Sequence, residues 1–195
     1  MAEEKILTLK TPVLVAGDLL TLRPVNVDDA EIYLQLVAEN YDRLSKWHSA
    51  PRPSNLADER RKYMAEDLKS GENGKAHWWL IESSNDVAGT IALHSIQARD
   101  RSALVGYWLA EPHVGRGIMT ASLRAAIDWA FNELGLIRVE IQCALINRAS
   151  CAVPERLGIR RESIRRQSQI RNGEILDMAS YVALADNWSS KSTGQ

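Results

Sequence analysis

Apolar and polar residues alternate along several short stretches of this chain, and each such stretch predicts a β-strand. β-Branched and aromatic residues at every second position indicate strands over Leu19–Arg23, Ala76–Glu82 and Val87–Ser95. Ala103–Leu109 has the same character. The last three strands follow one another with short connections, so we expect them to form an antiparallel meander.

Three helices are expected before and between these strands. Asn26 is a favoured N-cap residue, and acidic residues follow it in the first turn of the helix. Gly71 resembles a helix stop signal. The predicted helices are Asp28–Asn40, a short piece over Asp42–Trp47, and a helix that begins at Ser54 or Asn55 and ends near Ser70.

The second half of the chain begins with a long amphipathic helix that ends at Leu134, before Gly135. Its apolar residues recur at helical spacing and should pack on the sheet. Alternation over Arg138–Cys143 then predicts a strand with one buried face. A strand-helix-strand crossover makes this strand parallel to Ala103–Leu109. The buried helical stripe consists of Met119, Leu123, Ile127, Ala130 and Leu134.

The chain ends with a predicted helix and hairpin. The helix covers Asn147–Leu157. Pro154 in its interior removes a helical hydrogen bond, and a start near Ser150 would reduce that conflict. Strands over 159–170 and 174–183 flank Asn172-Gly173, which is typical of a two-residue hairpin turn.

A glycine-containing turn joins the meander to the long helix. Gly115 and Gly117 allow unusual dihedral angles and close approach of a ligand, and the first amides of the following helix have no partner within it. Such a turn suits an anion, and Arg116 and Arg124 are near enough in sequence to help hold phosphates. A P-loop is excluded because Gly117 is followed by Ile118-Met119-Thr120 in place of Lys-Ser/Thr. The dinucleotide pattern is incomplete, since its third glycine is absent.

Several motifs together resemble one family. Gly-Tyr-Trp-Leu at 106–109, Val-Gly-Arg-Gly-Ile-Met-Thr at 114–120, Asn-Arg-Ala-Ser at 147–150 and Leu-Gly-Ile at 157–159 are similar to the GNAT acyl-CoA-dependent N-acetyltransferases. The likeness is to the RimJ/RimL branch, which acetylates the N-termini of ribosomal proteins. It covers Leu19 to Trp188. The chain departs from the family pattern at Val114, which takes the place of Gln or Arg, and at Met119, which takes that of Gly or Ala.

The resemblance implies an α/β fold with a mixed α+β sheet. The sheet would be mostly antiparallel, with one parallel pair that splays apart and helices on its sides, in a single domain over residues 1–195. It also implies that acetyl-CoA is bound by the glycine turn, by backbone along the preceding strand and by the first residue of the Asn-x-x-Ser motif. These coenzyme residues are Tyr107, Trp108, Leu109, Val114, Gly115, Arg116, Gly117, Ile118, Met119, Thr120 and Asn147.

The implied reaction is attack of a neutral amine on the thioester of acetyl-CoA, which needs a base and a proton for the thiolate. Ser150, the serine of the Asn-x-x-Ser motif, is the expected thiolate partner, although Ser and Asn are also favoured helix caps. Glu82 and Glu111 are candidate bases, and His77, His94 and His113 are further ones. The two cysteines, Cys143 and Cys151, do not have the setting of an activated nucleophile, so transfer should be direct.

The acceptor side is indicated by aromatic and basic residues. Trp47, Trp78 and Trp79 fall in segments that line the acceptor in the family, although only one of the adjacent pair can face a pocket. The late arginines could meet an acidic acceptor, the 3′-phosphate of coenzyme A or ribosomal RNA, or form a solvated strand face. They are Arg156, Arg160, Arg161, Arg165, Arg166 and Arg171.

Composition narrows the remaining choices. With 24 basic and 25 acidic residues the net charge gives no general attraction to nucleic acid or membrane, so neither is an expected partner. No signal peptide, membrane span or metal-ligand spacing is evident, which predicts a cytoplasmic protein without a metal. The expected function is N-acetylation of a protein N-terminus. A detoxifying transferase for small amines, a non-catalytic acyl-CoA sensor and a homodimer are left open.

Overall fold

The computed structural model describes residues 10–47 and 57–188 of the chain. Within these residues eight strands form one sheet in the order β1-β2-β3-β4-β5-β6-β8-β7. The strands are β1 Leu14–Gly17, β2 Leu20–Pro24, β3 His77–Ser83, β4 Asp86–Gln97, β5 Ser102–Leu109, β6 Arg138–Ala144, β7 Arg160–Arg171 and β8 Glu174–Leu184. The helices are α1 Ala30–Glu39, α2 Tyr41–Leu44, α3 Ala57–Glu72, α4 Ile118–Asn132 and α5 Arg148–Arg156.

The sheet is mixed, as expected. Strands β3, β4 and β5 form the antiparallel meander, and β6 pairs with β5 in parallel after the α4 crossover. Every other pairing is antiparallel. The crossover helix α4 packs on one face of the sheet, against β1, β2, β4 and β5.

Apolar residues are buried on both faces of the sheet. The larger core lies beneath α4 and α5, and the predicted stripe of α4 is buried there. A smaller core lies beneath α1 and α3 on the opposite face. Successive side chains of β3 point to opposite faces of the sheet and so enter different cores. Trp79 and Ile81 belong to the larger core, while Trp78 and Leu80 pack in the smaller one.

Asn26 caps the first helical segment, as predicted. Its side chain accepts a hydrogen bond from the Asp28 amide, and the Asp29 carboxylate accepts one from the Asn26 amide. The capped turn is a short 3₁₀ segment, Val27–Asp29, that leads into α1. The predicted start of the third helix at Ser54 or Asn55 lies outside the described residues. Its predicted stop at Gly71 is wrong, because α3 continues to Glu72.

The predicted helix Asn147–Leu157 is present as α5, within one residue at each end, and it does not start late. The helix begins at Arg148 behind its cap Asn147 and contains Pro154 in its interior. A proline has no N–H, so the Ser150 carbonyl four residues earlier loses its helical partner. The Tyr107 hydroxyl of β5 donates a hydrogen bond to that carbonyl, at 3.1 Å. A side chain from another element therefore compensates for the proline.

The predicted Asn-Gly hairpin joins β7 and β8. Asn172 and Gly173 have φ of 48° and 81°, as a two-residue turn of this kind requires. Strand β7 forms one edge of the sheet, and most of its side chains are exposed on both faces. The side-chain amide of Asn172 donates a hydrogen bond to the Ser45 carbonyl at 2.9 Å. This bond attaches the hairpin to the segment after α2.

Gly89 of β4 lies directly against the backbone at the end of β5. A Cβ atom built on Gly89 would be 2.2 Å from the Trp108 carbonyl oxygen, too short for any real contact. We expect Gly89→Ala to lower the free energy of unfolding by about 1–3 kcal/mol, since backbone must move to admit the methyl group. Urea denaturation measures the loss.

Gly17→Ala is the matched control for this prediction. A Cβ atom at Gly17 would meet only the Leu20 Cβ atom, at an ordinary 3.7 Å. Its stability should change by less than about 0.5 kcal/mol. Equal stability of the two variants would show that β4 and β5 are not packed as described.

Candidate active site

The parallel strands β5 and β6 separate partway along their length. They pair from Ser102 and Arg138 to Val105 and Ile141, and no further. Beyond that point β5 continues against β4, and β6 continues against β8. The backbone groups of residues 106–109 that point away from β4 therefore face a gap, where a ligand can bond to them.

A cavity of about 240 Å³ occupies this gap. Its walls come from both separated strands, from the start of α5, from Trp47 and from the β7–β8 hairpin. We call this cavity the cleft. Its lining residues are Trp47, His94, Leu104, Val105, Gly106, Tyr107, Ile141, Gln142, Cys143, Ala144, Asn147, Ser150, Gln169, Arg171, Leu176 and Met178.

The glycine turn presents unpaired amides at the end of β5. Gly115 and Gly117 have φ of 80° and 77°, and Cβ atoms built on them would meet nothing within 4 Å. Among the described residues, no acceptor binds the amides of residues 115–120, and the first helical bond runs from the Ala121 amide to the Gly117 carbonyl. These amides and the positive end of the α4 dipole suit a diphosphate.

Side chains of the turn contribute less than its backbone. Val114 is exposed, whereas Ile118 and Met119 at the start of α4 are buried in the core. The departures from the family pattern at Val114 and Met119 therefore leave the amide surface open. The residues present fit a coenzyme whose diphosphate binds to backbone.

Ser150 lies on the α5 side of the cleft in a fixed position. Its amide donates to the Asn147 side chain at 3.2 Å, and Tyr107 donates to its carbonyl. Its hydroxyl donates to the Cys143 sulfur at 3.1 Å. Burial raises the pKa of Tyr107 well above its usual value, so this phenol remains a donor. The structure thus brings together Asn147, Ser150 and Tyr107.

Both cysteines are buried and neither forms a disulfide. The pKa of the Cys143 thiol is raised by its hydrogen bond with Cys151 and by burial, so it lacks the thiolate character of a nucleophile. Cys151 directs its sulfur toward the Ala144 carbonyl, at 3.6 Å. Its hydrogen bond with Cys143 lowers the pKa of Cys151, but this thiol is buried and does not line the cleft, so neither cysteine is suited to accept the acetyl group.

Of the three candidate histidines, only His94 lines the cleft. Its Nε2 atom would be 3.4 Å from a Cβ atom on Gly106, so the imidazole lies over that glycine, and Nδ1 is 3.1 Å from the Ser95 hydroxyl. Burial lowers the pKa of His94, which keeps it neutral at neutral pH. His77 lies in the core, where burial lowers its pKa to about 4. His113 lies in the turn after β5, 3.2 Å from Asp86.

The two candidate glutamate bases lie outside the cleft lining. The Glu82 carboxylate accepts a hydrogen bond from Arg23 at 2.7 Å, in a cluster that includes Asp29. Glu111 has an exposed side chain, and its amide donates to the Asn40 side chain at 2.8 Å. The sequence pattern could not distinguish Glu82 and Glu111 from His94 as the base. Only the folded chain shows which of the three side chains lines the cleft.

The tryptophans divide between cleft and core. Trp47 lines the cleft and packs with Leu176 and Met178 of β8. Trp79 is fully buried against Trp129, with ring centroids 5.4 Å apart, and Trp78 packs in the smaller core. Neither of the adjacent pair therefore lines the cleft, contrary to the expectation that one of them would.

The late arginines fall into three groups. Only Arg171 lines the cleft. Arg165 and Arg166 are exposed on the β7 edge. Three others line a separate cavity of about 960 Å³ together with Trp188 and Arg124, whose guanidinium stacks on the Trp188 ring at 5.3 Å. These three are Arg156, Arg160 and Arg161.

Residues 10–47 and 57–188 contain neither a membrane-spanning helix nor a metal-binding cluster. No described helix is long and apolar enough to cross a membrane. No group of three or more His, Cys, Asp or Glu side chains there is arranged to hold a metal ion.

The parallel pair separates around a serine and a histidine, and β5 leads from there into a helix start with unpaired amides, which is an arrangement that suits an acyl-coenzyme A-dependent transferase. The comparisons with known proteins agree with this class. The family described as "Acetyltransferase (GNAT) domain" matches residues 20–160. The chain belongs to this family, whose acyl donor is acetyl-CoA.

Several relatives are similar over nearly the whole chain. "Putative ribosomal N-acetyltransferase YdaF" of Bacillus subtilis (strain 168) is 35% identical over 88% of this chain and 94% of its own. The ribosomal-protein-serine acetyltransferase of Escherichia coli (strain K12) is 25% identical over 91% of this chain and 99% of its own. Among solved structures, RimL, a ribosomal L7/L12 alpha-N-protein acetyltransferase in complex with coenzyme A, has a TM-score of 0.83 at 27% identity. It covers 89% of this chain and 98% of its own.

The turn can be tested with two glycines that share one backbone conformation. We expect Gly117→Ala to weaken coenzyme A binding about tenfold in calorimetry, because the methyl group would occupy the space before the amides and strain a residue at φ 77°. Gly158→Ala carries the same strain at φ 73°, outside the turn and the cleft. Both variants should lose about 1–2 kcal/mol of stability, but only the first should lose affinity. Equal affinities would place the diphosphate elsewhere.

Proposed function

We propose that this protein transfers the acetyl group of acetyl-CoA to the N-terminal α-amine of a ribosomal protein. The observation that carries the proposal is that Ser150 lines the cleft where β5 and β6 separate, and that β5 leads from this cleft into the turn whose amides at residues 115–120 have no acceptor among the described residues. The relatives at 25–35% identity are named for ribosomal substrates. We also infer that Leu19 to Trp188 form one domain, which is supported by the single sheet.

The coenzyme's position is proposed from the open hydrogen-bonding groups. The diphosphate would bind the amides from Gly115 to Thr120, with Arg116 beside them, and the pantetheine arm would follow the free backbone of Tyr107 and Trp108. The Leu109 carbonyl already accepts a hydrogen bond from Arg43, so it is less available. Asn147, as cap of α5, lies at the end of this path.

The amine must be neutral to attack the thioester carbon. An α-amine titrates near about 8, against about 10.4 for lysine, so an N-terminus is the easier acceptor at neutral pH. As the C–N bond forms, the nitrogen becomes acidic and loses its proton, for which we propose neutral His94 as the acceptor, directly or through water. Glu82 and Glu111 remain predicted alternatives.

The C–S bond then breaks and leaves a thiolate. We propose that the Ser150 hydroxyl donates a hydrogen bond or a proton to it. The hydroxyl already donates to a sulfur atom, that of Cys143, and the Tyr107 and Asn147 hydrogen bonds hold the residue from both sides. Its own proton would be restored from water in the cleft.

The whole proposal is tested by incubating the protein with acetyl-CoA and a panel of N-terminal peptides and small amines. We expect release of coenzyme A with peptides, and the mass increase of one acetyl group at the α-amine. Acetylation of lysine side chains only would contradict the α-amine preference. Coenzyme binding without release from any amine would indicate a sensor, and release with small amines only would indicate a detoxifying enzyme.

Ser150→Ala tests the thiolate partner. Loss of the donor should lower kcat about a hundredfold and leave coenzyme A affinity within about twofold, since general acid catalysis contributes about 10²–10⁴. Steady-state kinetics and calorimetry give the two values. Ser163→Ala, on the exposed part of β7, is the control and should keep full activity. An unchanged kcat in Ser150→Ala would remove this residue from the mechanism.

The pH dependence tests His94. Acid protonates a base and abolishes its function, and because burial lowers the pKa of His94, the acid limb of kcat should lie below the ordinary histidine value of about 6.5. His94→Gln should lower kcat about a hundredfold and remove that limb. Glu82→Gln and Glu111→Gln should retain it. Loss of the acid limb in Glu82→Gln or Glu111→Gln would identify that carboxylate as the base.

A further inference from the structure

Arg171 is held at the acceptor end of the cleft by the hairpin. It is the last residue of β7, directly before the Asn172-Gly173 turn, and the Asn172 side chain fastens this turn to the Ser45 carbonyl. One guanidinium nitrogen, Nη1, donates to the Ile170 carbonyl at 3.0 Å. The side chain is half-buried and lines the cleft near Trp47.

Arg171 has no counterion among the described residues of the cleft. It is the one charged side chain in the cleft lining, which contains no Asp or Glu. Its Nε atom is buried and has no acceptor among the described residues, and no described carboxylate forms an ion pair with it. By contrast, Arg23 and Arg138 are each paired with carboxylates at 2.6–2.8 Å. A half-buried cation without a counterion lacks the compensation that proteins normally provide.

The counterion is not expected to come from the coenzyme. The coenzyme's diphosphate fits the amides at the start of α4, beyond the end of β5. Arg171 belongs to the hairpin on the other side of β6, since β6 pairs with β8 and β8 with β7. The thioester end, which would reach Ser150, has no charge. The 3′-phosphate belongs to the adenosine end of the coenzyme, which the diphosphate separates from the thioester end. We therefore assign an anion beside Arg171 to the acceptor.

We propose that Arg171 selects acceptors with an acidic side chain next to the reactive α-amine, at the second or third residue of the peptide. This inference rests on the proposed acetylation of protein N-termini and specifies the substrate class. The planar guanidinium can bind a carboxylate with two parallel hydrogen bonds, and the buried Nε donor becomes satisfied. The same positive charge disfavours a cationic side chain at that place.

Matched peptides test the selection. Hexapeptides that begin with Ser and carry Asp, Asn or Lys at the second residue, and a second series varied at the third, are assayed for coenzyme A release. The wild-type protein should show a kcat/KM about tenfold or more higher for Asp than for Asn in at least one series, mostly through KM, and lowest for Lys.

Three variants of Arg171 and one control separate charge reading from a structural effect. Arg171→Gln should make the Asp and Asn peptides equal, Arg171→Lys should retain part of the preference, and Arg171→Glu should reverse it toward Lys. Arg161→Gln removes an arginine from the opposite end of β7, outside the cleft lining, and should preserve the wild-type order. Thermal melting confirms that each variant is folded.

The failures are distinguishable. Coenzyme A release with no difference between Asp, Asn and Lys peptides would overturn this inference and leave the proposed function intact. A uniform fall in kcat for all peptides in Arg171→Gln would also overturn it, because the residue would then act on structure or on the amine itself. Absence of release from every peptide, with coenzyme binding retained, would overturn both proposals.

Discussion

The parallel pairing of β5 with β6 ends at Val105 and Ile141. The proposed catalytic and coenzyme-binding residues are arranged around the gap that opens there. Each strand continues beyond it against its other neighbour, β4 or β8, so neither loses its support. Arg43 and Asn40 bind the backbone at Leu109 and Glu111, where β5 ends. The gap thus presents backbone groups that have no strand partner, which is the condition for binding an extended ligand by main-chain hydrogen bonds.

A proline connects the architecture to the chemistry. Pro154 releases the Ser150 carbonyl from the helical hydrogen-bond pattern, and Tyr107 of β5 binds that carbonyl across the mouth of the gap. The residue proposed to meet the thiolate is therefore held by α5 through its cap and by β5 through a phenol. A helix without the proline would satisfy the carbonyl internally, and the two walls of the cleft would lose this connection.

Charge is distributed in a way that suits a neutral nucleophile. The candidate carboxylates Glu82 and Glu111 lie outside the cleft, the histidine inside it is kept neutral by burial, and the single charged lining residue is a cation. A protonated amine gains no counterion there. The cleft instead favours an uncharged amine on a molecule that brings its own negative group for Arg171.

The sequence alone determined the elements whose signals are local. Alternation specified the meander and β6, helical spacing specified the buried face of α4, Asn172-Gly173 specified the last hairpin, and the glycine turn with its neighbouring motifs indicated the family and its coenzyme. Only the tertiary structure decided which side chains share the cleft. Trp78 and Trp79 differ by one position and enter different cores, the histidines look alike in sequence, and one arginine among many reaches the cleft. The carbonyl that Pro154 leaves without a helical partner is bound by Tyr107, 47 residues away from the proline along the chain. Such contacts depend on pairing register and on where two strands separate, and neither is encoded in a short window of residues.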